Sequence, residues 1–586
     1  FGAFESKWNC LKDRWFIFDT LLAMALGELW RHVCSFTQWA CRAGPAPGPL
    51  HLSGAMGETS SSCCAADTPP PAETQQVSTA EDDMDPFGPI SPNDELGLSS
   101  GISRSLDYER SCKLQRLATS SHLQVDEEIL RGIPLKETLR FAGKVWRTRP
   151  SKLSPVECEA LWNRAQPTSS LDVFFSHTWM TAGWWKFMAL SLQDSLMMCL
   201  LCWALAVGVA VTLCVFEILP LYETVSMENM MAQSTQYAHT PWTALFGLVG
   251  MMIGLLGKPY LPDFGRRVIC FLDVACIHQG KGEFMERGIY GLGGVLKVSN
   301  ELRVLWSKPY LSRLWCIFEL AAYREANPTG RIVLVPLYVE ITVVLTVLLV
   351  HATTLTFQAA LLIASQLALA TQLVPMLLMA VGCHFLRRSY LAKYKLASDL
   401  RCFQLSQAVC SSDFDREYVT SAICRWYGSP EAFTRYVQGP LRKELARSIS
   451  DTQVRPGYLL LMALPMAGSA IDVALSRWKG NMPDLVPYII YADFGATFLW
   501  TIVCLKVLLF VSYRFAAPWK EGAMDYAQSA FLCVIPCSIY ALGTAMATWA
   551  MSLGQAASVI WLLLCASCAF LSLFCQGRCA RRQELD

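Results

Sequence analysis

Long apolar runs alternate with charged segments along the last two thirds of this chain. Eight of the runs reach or approach the length of about 20 residues that a helix needs to cross a bilayer. They cover residues 196–219, 241–257, 338–357, 360–386, 457–475, 488–512, 525–550 and 556–576. The third and fourth form one almost unbroken run, so a tight hairpin is expected at residues 351–357. The pattern predicts an all-α membrane region of about eight spans.

Shorter apolar runs of a different kind lie between these spans. LDVFFS (171–176), residues 268–274 and residues 302–306 are each bounded by polar or turn-forming residues, which is typical of buried β-strands. RIVLVPLYVE (331–340) fits either a fourth strand or the start of a span. Strands that alternate with helical patterns predict an α/β domain with a parallel sheet.

A helix follows the third of these strands. The strand stops at Ser307-Lys308-Pro309, and Ser312 is the predicted N-cap of a helix that carries Trp315, Cys316 and Glu319.

Composition supports a membrane protein. The 586 residues are 53% hydrophobic and only 17% charged, whereas a soluble domain carries about 25% charged residues. A net charge of +1 argues against nucleic acid as a partner, and the expected partner is the lipid bilayer. Many of the 24 cysteines lie inside apolar runs, where they act as small hydrophobic residues, so neither disulfides nor a metal site is expected.

The loops differ in positive charge, which sets the expected orientation. Residues 258–330 hold ten Lys and Arg and residues 387–456 hold twelve, whereas residues 220–240 and 551–555 hold none. Cytosolic loops carry the excess of basic residues, so both termini are expected in the cytosol. The predicted strands before and after the first two spans then lie on the same side, and a membrane hairpin interrupts one domain.

Composition and patterning together divide the chain into segments. The expected sequence is an N-terminal helical segment (1–41), a disordered linker (42–105), a helical lead-in (106–170), an α/β domain (171–340) interrupted by a membrane hairpin (196–257), a second hairpin (338–386), a cytosolic helical segment (387–456), a four-span region (457–576) and a tail (577–586).

Three motifs in this order resemble the TIR (Toll/interleukin-1 receptor) domain. They are DVFFSHTW at the first strand, FLD with Asp273 at the second, and WCIFEL, from Trp315 to Leu320, in the helix after the third. The resemblance covers about 110 residues and implies a flavodoxin-like parallel sheet. It also implies signalling by self-association of the cytosolic domain.

Some TIR domains cleave NAD at the nicotinamide–ribose bond, and the resemblance identifies Glu319 with their catalytic glutamate. A single carboxylate suffices in principle, because the nicotinamide leaves as a neutral group and the ribose becomes oxocarbenium-like. Ser176, His177 and Trp179 would border the cleft, and NAD would be a substrate rather than a cofactor. The alternative is that Glu319 is structural and that Trp315 and Cys316 are packing residues.

A second class of function also fits the pattern. Asp472, Asp493 and Lys506 lie within predicted spans, where ionisable residues mark ion or proton paths by default. The chain would then be a transporter or channel with the α/β domain as a regulatory appendage.

Overall fold

The computed structural model describes residues 123–220, 222–223, 238–262, 265–280, 282–363, 368–410, 412–445, 454–479 and 483–574, all within one compact unit. The predicted N-terminal segment (1–41), linker (42–105) and tail (577–586) lie outside these residues.

The strands form a mixed six-stranded sheet and a separate two-stranded hairpin. They are β1 (Arg131–Pro134), β2 (Gln166–Pro167), β3 (Leu171–Ser176), β4 (Tyr222–Glu223), β5 (Ala238–His239), β6 (Ile269–Phe271), β7 (Ser299–Trp306) and β8 (Arg331–Pro336). The sheet has the order β2-β1-β6-β3-β7-β8, while β4 pairs with β5. Strands β6, β3, β7 and β8 are parallel, whereas β1 and β2 are antiparallel to their neighbours.

Helices make up most of the rest. They are α1 (Leu135–Arg147), α2 (Pro155–Arg164), α3 (Gly183–Val215), α4 (Trp242–Gly257), α5 (Asp273–Cys276), α6 (Gly282–Tyr290), α7 (Leu292–Lys297), α8 (Leu314–Ala326), α9 (Leu337–Ile363), α10 (Ala368–Arg401), α11 (Asp413–Tyr427), α12 (Pro430–Tyr436), α13 (Pro456–Lys479), α14 (Val486–Tyr488), α15 (Trp500–Arg514), α16 (Ala523–Leu553) and α17 (Gln555–Phe574).

The sheet is continuous across the first membrane hairpin. Val173 of β3 pairs with Cys270 of β6 in parallel register, although α3 and α4 separate the two strands in the chain. The expectation that the polypeptide on either side of this hairpin joins one sheet is therefore confirmed. The first turns of α3 stay within the domain, where Phe187 and Leu190 are buried in the core around the sheet.

Residues 396–445 share that core. Leu396, Tyr418 and Val437 belong to the same apolar cluster as the strands and α8. The segment after α10 therefore packs directly on the sheet domain.

Seven helical segments among the described residues are long and apolar enough to cross a membrane. They are Gly183–Val215, Trp242–Tyr260, Leu337–Thr356, Pro456–Lys479, Pro483–Arg514, Ala523–Leu553 and Gln555–Phe574. The predicted run at 360–386 is not among the seven, although α10 covers most of it.

Two local predictions were wrong. No hairpin forms at 351–357, because α9 continues to Ile363 and its polar side chains bond to their own helix: Nδ1 of His351 lies 2.9 Å from the Val347 carbonyl oxygen. Ser312 does not cap α8 either. It closes a short 3₁₀ turn, its Oγ donates to the Pro309 carbonyl, and the helix begins two residues later at Leu314.

Asp472 has a structural role in the membrane region. Its carboxylate accepts hydrogen bonds from the backbone amides of Thr243 (2.9 Å) and Ala244 (3.1 Å), at the start of α4. The first amides of a helix lack partners within the helix, so Asp472 of α13 acts as a cap supplied by a different helix. This bonding accounts for one buried carboxylate without any ion path.

Arg387, in the middle of α10, joins this helix to the ends of two others. Its buried guanidinium donates to the carbonyls of Phe515 (2.8 Å) and Ala517 (3.3 Å), beyond the end of α15. It also forms an ion pair with Asp525 in the first turn of α16. The end of α15 and the start of α16 therefore meet the middle of α10 at Arg387.

The two helices of the first hairpin approach each other closely through glycine. A Cβ atom built on Gly250 would lie 2.5 Å from the Cys202 carbonyl oxygen, and one on Gly254 would lie 2.7 Å from the Cys199 Cα. Because these neighbours are backbone atoms, they cannot move aside as a flexible side chain could. Small residues that let backbones meet are the usual basis of helix pairing in lipid.

We predict that Gly250→Val destabilises the protein, since overpacking of a tight interface costs about 1–3 kcal/mol. Thermal unfolding of the full chain in detergent should occur several degrees lower than in the parent. Gly208→Val on α3 is the matched control, because nothing lies within 4 Å of a Cβ at that position. Equal melting of the two variants would contradict the close packing of α3 on α4.

Candidate functional site

The carboxyl ends of the parallel strands gather most of the residues that the sequence singles out. Ser176 ends β3, His177 follows it, and Asp273 lies two residues beyond β6. Glu319 reaches the same edge from α8. In open parallel sheets this edge is where ligands bind.

Glu319 is held by the buried hydroxyl group of Ser176, which is itself bonded to a second hydroxyl group. The Ser176 hydroxyl donates to the Glu319 carboxylate, and the same hydroxyl is hydrogen-bonded to the Tyr310 hydroxyl. Ser176 and Tyr310 are almost completely buried, whereas Glu319 is partly exposed. The carboxylate thus ties α8 to the end of β3.

This environment favours the neutral acid. Burial raises the pKa of Glu319 to about 8, the negative charge of Asp273 acts in the same direction, and the hydrogen bond from Ser176 opposes both. At neutral pH the side chain is therefore mostly a protonated acid. It becomes an anion only in mildly alkaline conditions.

A second polar group, next to the first, is centred on His177. Its Nε2 lies 3.5 Å from an Asp273 oxygen, and its Nδ1 lies 3.2 Å from the Lys186 amine. The indole N–H of Trp179 donates to the other Asp273 oxygen at 2.8 Å. The Lys186 amine also lies over the Trp179 ring, 4.7 Å from its centre.

The charges of this group follow from burial and from one another. Burial and the nearby Lys186 charge lower the pKa of His177, so the imidazole is neutral. Burial alone would raise the pKa of Asp273, but His177 and the hydrogen bond from Trp179 outweigh it and the pKa is lowered. Asp273 is therefore the ionised carboxylate of the edge and Glu319 the neutral one.

Lys186 and Tyr310 were not singled out from the sequence. Lys186 is the one charged residue in GWWKFMALSL (183–192), and it is completely buried. A basic side chain inside an apolar run indicates that polar partners are buried with it. In the structure these partners of Lys186 are Asp273 and His177. Tyr310 lies in KPYLS, a motif with no polarity signal of its own.

Trp315 and Cys316 do not contribute to a cleft. The Trp315 indole packs on Tyr418 and its N–H donates to Asp415 (3.4 Å), so it fixes α11 against α8. Cys316 is buried, its thiol donates to the His177 carbonyl, and burial raises the pKa of the thiol well above its ordinary value. Cys316 is therefore not a thiolate nucleophile. Both match the packing alternative, and Trp315 does not line the edge that Glu319 reaches.

Within the described ranges, no three His, Cys, Asp or Glu side chains lie close enough to hold a metal ion. His278, which follows Cys276 in FLDVACIHQ, is instead bonded on both ring nitrogens. Its Nε2 lies 3.0 Å from Glu159, and its Nδ1 accepts from the Gly280 amide.

The arrangement places a carboxyl group that can change its charge beside an ionised carboxylate and the buried amine of Lys186, whose pKa burial lowers to about 7. An ionised Glu319 could stabilise a developing positive charge, and Trp179 offers an aromatic face. Two surface cavities lie where this domain meets the spans, and neither is lined by Glu319.

We predict that Glu319 makes stability depend on pH. The folded chain keeps a proton that the unfolded chain releases above about pH 4.5, so this stabilisation is complete below pH 4.5 and is lost as pH rises to about 8. Unfolding of the full chain in nanodiscs, measured from pH 5 to pH 8.5, should show this decline. It should be reduced in Glu319→Gln, which cannot ionise.

Glu325→Gln is the control, because Glu325 lies on the same helix and is exposed. This variant should keep the slope of the parent. Identical slopes for the parent and Glu319→Gln would contradict a protonated Glu319.

No family model, no curated protein and no solved structure matches this chain.

Proposed function

We propose that this chain is a multi-pass membrane signalling protein whose sheet domain is TIR-like. The four parallel strands have the spatial order second, first, third, fourth, which is the order at the start of flavodoxin-like sheets. Ser176 and Glu319, which the resemblance to TIR domains assigns to the cleft, are bonded to each other at the carboxyl edge of these strands. Both features support the proposal.

One structural observation supports the signalling role. Both membrane hairpins leave the domain from the carboxyl ends of parallel strands: α3 begins seven residues after β3, and α9 begins directly after β8. This is the edge that holds Glu319. In this proposal, a displacement of the spans moves the residues around Glu319. The sheet domain then responds by associating with further copies of itself.

The proposal includes eight crossings with both termini in the cytosol. Helix α9 leaves the sheet domain at β8, and Leu396 and Leu400 of α10 return to the core of the same domain. A chain that leaves and returns must cross twice, so α10 is the crossing that complements the seven apolar helices. The basic residues of 258–330 and 387–456 then face the cytosol.

NAD cleavage at Glu319 is the enzymatic part of the proposal. The ionised carboxylate would stabilise the oxocarbenium-like ribose, with Trp179 and Ser176 beside it. Because the neutral acid dominates at pH 7, the activity would be low there and would increase as the side chain ionises.

We predict that the full chain in nanodiscs releases nicotinamide from NAD, faster at pH 8.5 than at pH 6.5. Glu319→Gln should reduce release by about 100-fold or more, the scale of losing one electrostatic stabiliser. Glu325→Gln should leave it unchanged. Release that is absent from the parent, or equal in the parent and Glu319→Gln, would remove the enzymatic part.

Association needs its own readout. A fluorescent tag on the full chain in liposomes allows the copies in each particle to be counted from photobleaching steps. The signalling proposal expects more than one copy at low protein density, in the parent and in Glu319→Gln alike. Single copies throughout would contradict association.

A transport function is the second candidate, and one observation favours it. The span that contains Asp493 is interrupted by two π-helical segments, Ile489–Asp493 and Gly495–Leu499, and such bulges are frequent at functional sites. Solute flux into proteoliposomes that is lost in Asp493→Asn would favour transport over signalling.

A further inference from the structure

A strained loop interrupts α1. Phe141, Ala142 and Gly143 all have left-handed backbone conformations, with φ of 54°, 52° and 65°. Two of the three are not glycine, and such residues persist only where the surroundings hold them in place. At Gly143 an added Cβ would lie 2.5 Å from the Phe187 ring, so the loop packs closely on α3.

The loop is bonded to the end of a span. The Phe141 amide donates to the Tyr260 hydroxyl at 2.8 Å, and Arg140 Nε donates to the Pro259 carbonyl at 3.1 Å. The rings of Phe141 and Tyr260 meet edge to face, with their centres 6.3 Å apart. Residues 258–260 form a 3₁₀ turn that continues α4, so the loop lies where α4 ends.

An ion pair marks the level of the bilayer boundary. Lys258 is the first charged residue after the apolar run of α4, and Asp194 is the last before the apolar run of α3. Their side chains pair at 2.7 Å. Tyr260 is two residues beyond Lys258, which is about 4 Å along a 3₁₀ turn. This distance lies within the headgroup layer, which adds about 5–8 Å on each side of the hydrocarbon core.

The surface at this level is aromatic and locally neutral. Phe141 is 60% exposed and Tyr260 53% exposed, and Leu256 and Leu261 beside them are each 40% exposed. The nearby cations are already paired, Arg140 with Glu137 and Lys258 with Asp194. Exposed aromatic rings at this depth are typical of residues that lie among lipid headgroups.

We propose that Phe141 and Tyr260 insert into the headgroup layer of the bilayer that holds α3 and α4, and so hold the sheet domain against the membrane. The paired charges make the contact apolar, so it does not require anionic lipid. Further along α1, the buried ring of Trp146 lies 5.4 Å from the rings of both Phe175 and His177. The bilayer contact is thus connected, through the part of α1 that follows the loop, to the edge that holds Glu319.

The test places a fluorescent amino acid at position 141 of the full chain by stop-codon suppression, in nanodiscs of neutral phosphatidylcholine. We expect lipids brominated near the headgroup to quench it strongly and aqueous iodide to quench it weakly. The control position is Val156, an apolar residue on α2 that is 79% exposed. It should show the opposite pattern.

Two quenching results would contradict the insertion of Phe141 into the headgroup layer. Strong iodide quenching at 141, or equal quenching by lipid at both positions, would overturn the proposal.

If the labelled chain does not fold, hydroxyl-radical footprinting of the unmodified chain in nanodiscs gives the same answer. Trp184 is the internal reference, because it is 48% exposed and lies ten residues, about 15 Å, before Asp194. Relative to the unfolded chain, Phe141 and Tyr260 should be protected more than Trp184. Equal protection would contradict the proposal.

Discussion

The hydrogen-bonded pairing of β3 with β6 is the constraint on which the rest of this structure depends. Strand β3 is buried in the middle of the sheet, so its amides and carbonyls need partners on both sides. Strand β7 supplies one side, and β6 supplies the other only if the chain returns from the membrane to the place where it left. The hairpin of α3 and α4 must therefore cross as a closely packed pair, and glycine at its interface allows this.

The same constraint explains how the candidate site comes together. Ser176, Asp273 and Glu319 come from three segments, and the parallel register brings the ends of those segments to one edge. Different neighbours then give the two carboxyl groups pKa values that are shifted in opposite directions. His177 and the hydrogen bond from Trp179 lower the pKa of Asp273, while burial keeps Glu319 neutral in spite of its hydrogen bond from Ser176.

Sequence patterns predicted the parts of the fold that depend on local hydrophobicity. Residues 171–176 form the first parallel strand with the expected bounds, because a continuous apolar run between turn residues is a strong signal. The second strand was predicted too long, at 268–274. It ends at Phe271 because the Asp273 carboxylate bonds to the next amide, that of Val274, and starts a helical turn instead.

Features that depend on distant contacts could not be predicted from the pattern. Trp315 belongs to the motif that carries the TIR resemblance, but its indole donates to Asp415, one hundred residues later, and packs on α11. The role of Lys186 depends on Asp273, which is brought near it only by the return of the hairpin. Asp472 suggested an ion path, and only the position of α4 reveals that it caps a helix.

Disulfide trapping between β3 and β6 tests the central claim most directly. Val173 and the native Cys270 are register partners, so Val173→Cys in the full chain should form a disulfide with Cys270 on mild oxidation, detected as a linked peptide pair by mass spectrometry. Asp172→Cys, whose side chain points to the other face of the sheet, should not form it. Linkage of Val173→Cys to other cysteines but not to Cys270 would contradict a single sheet formed by strands from both sides of the membrane hairpin. Equal linkage of Cys270 in both variants would contradict it as well.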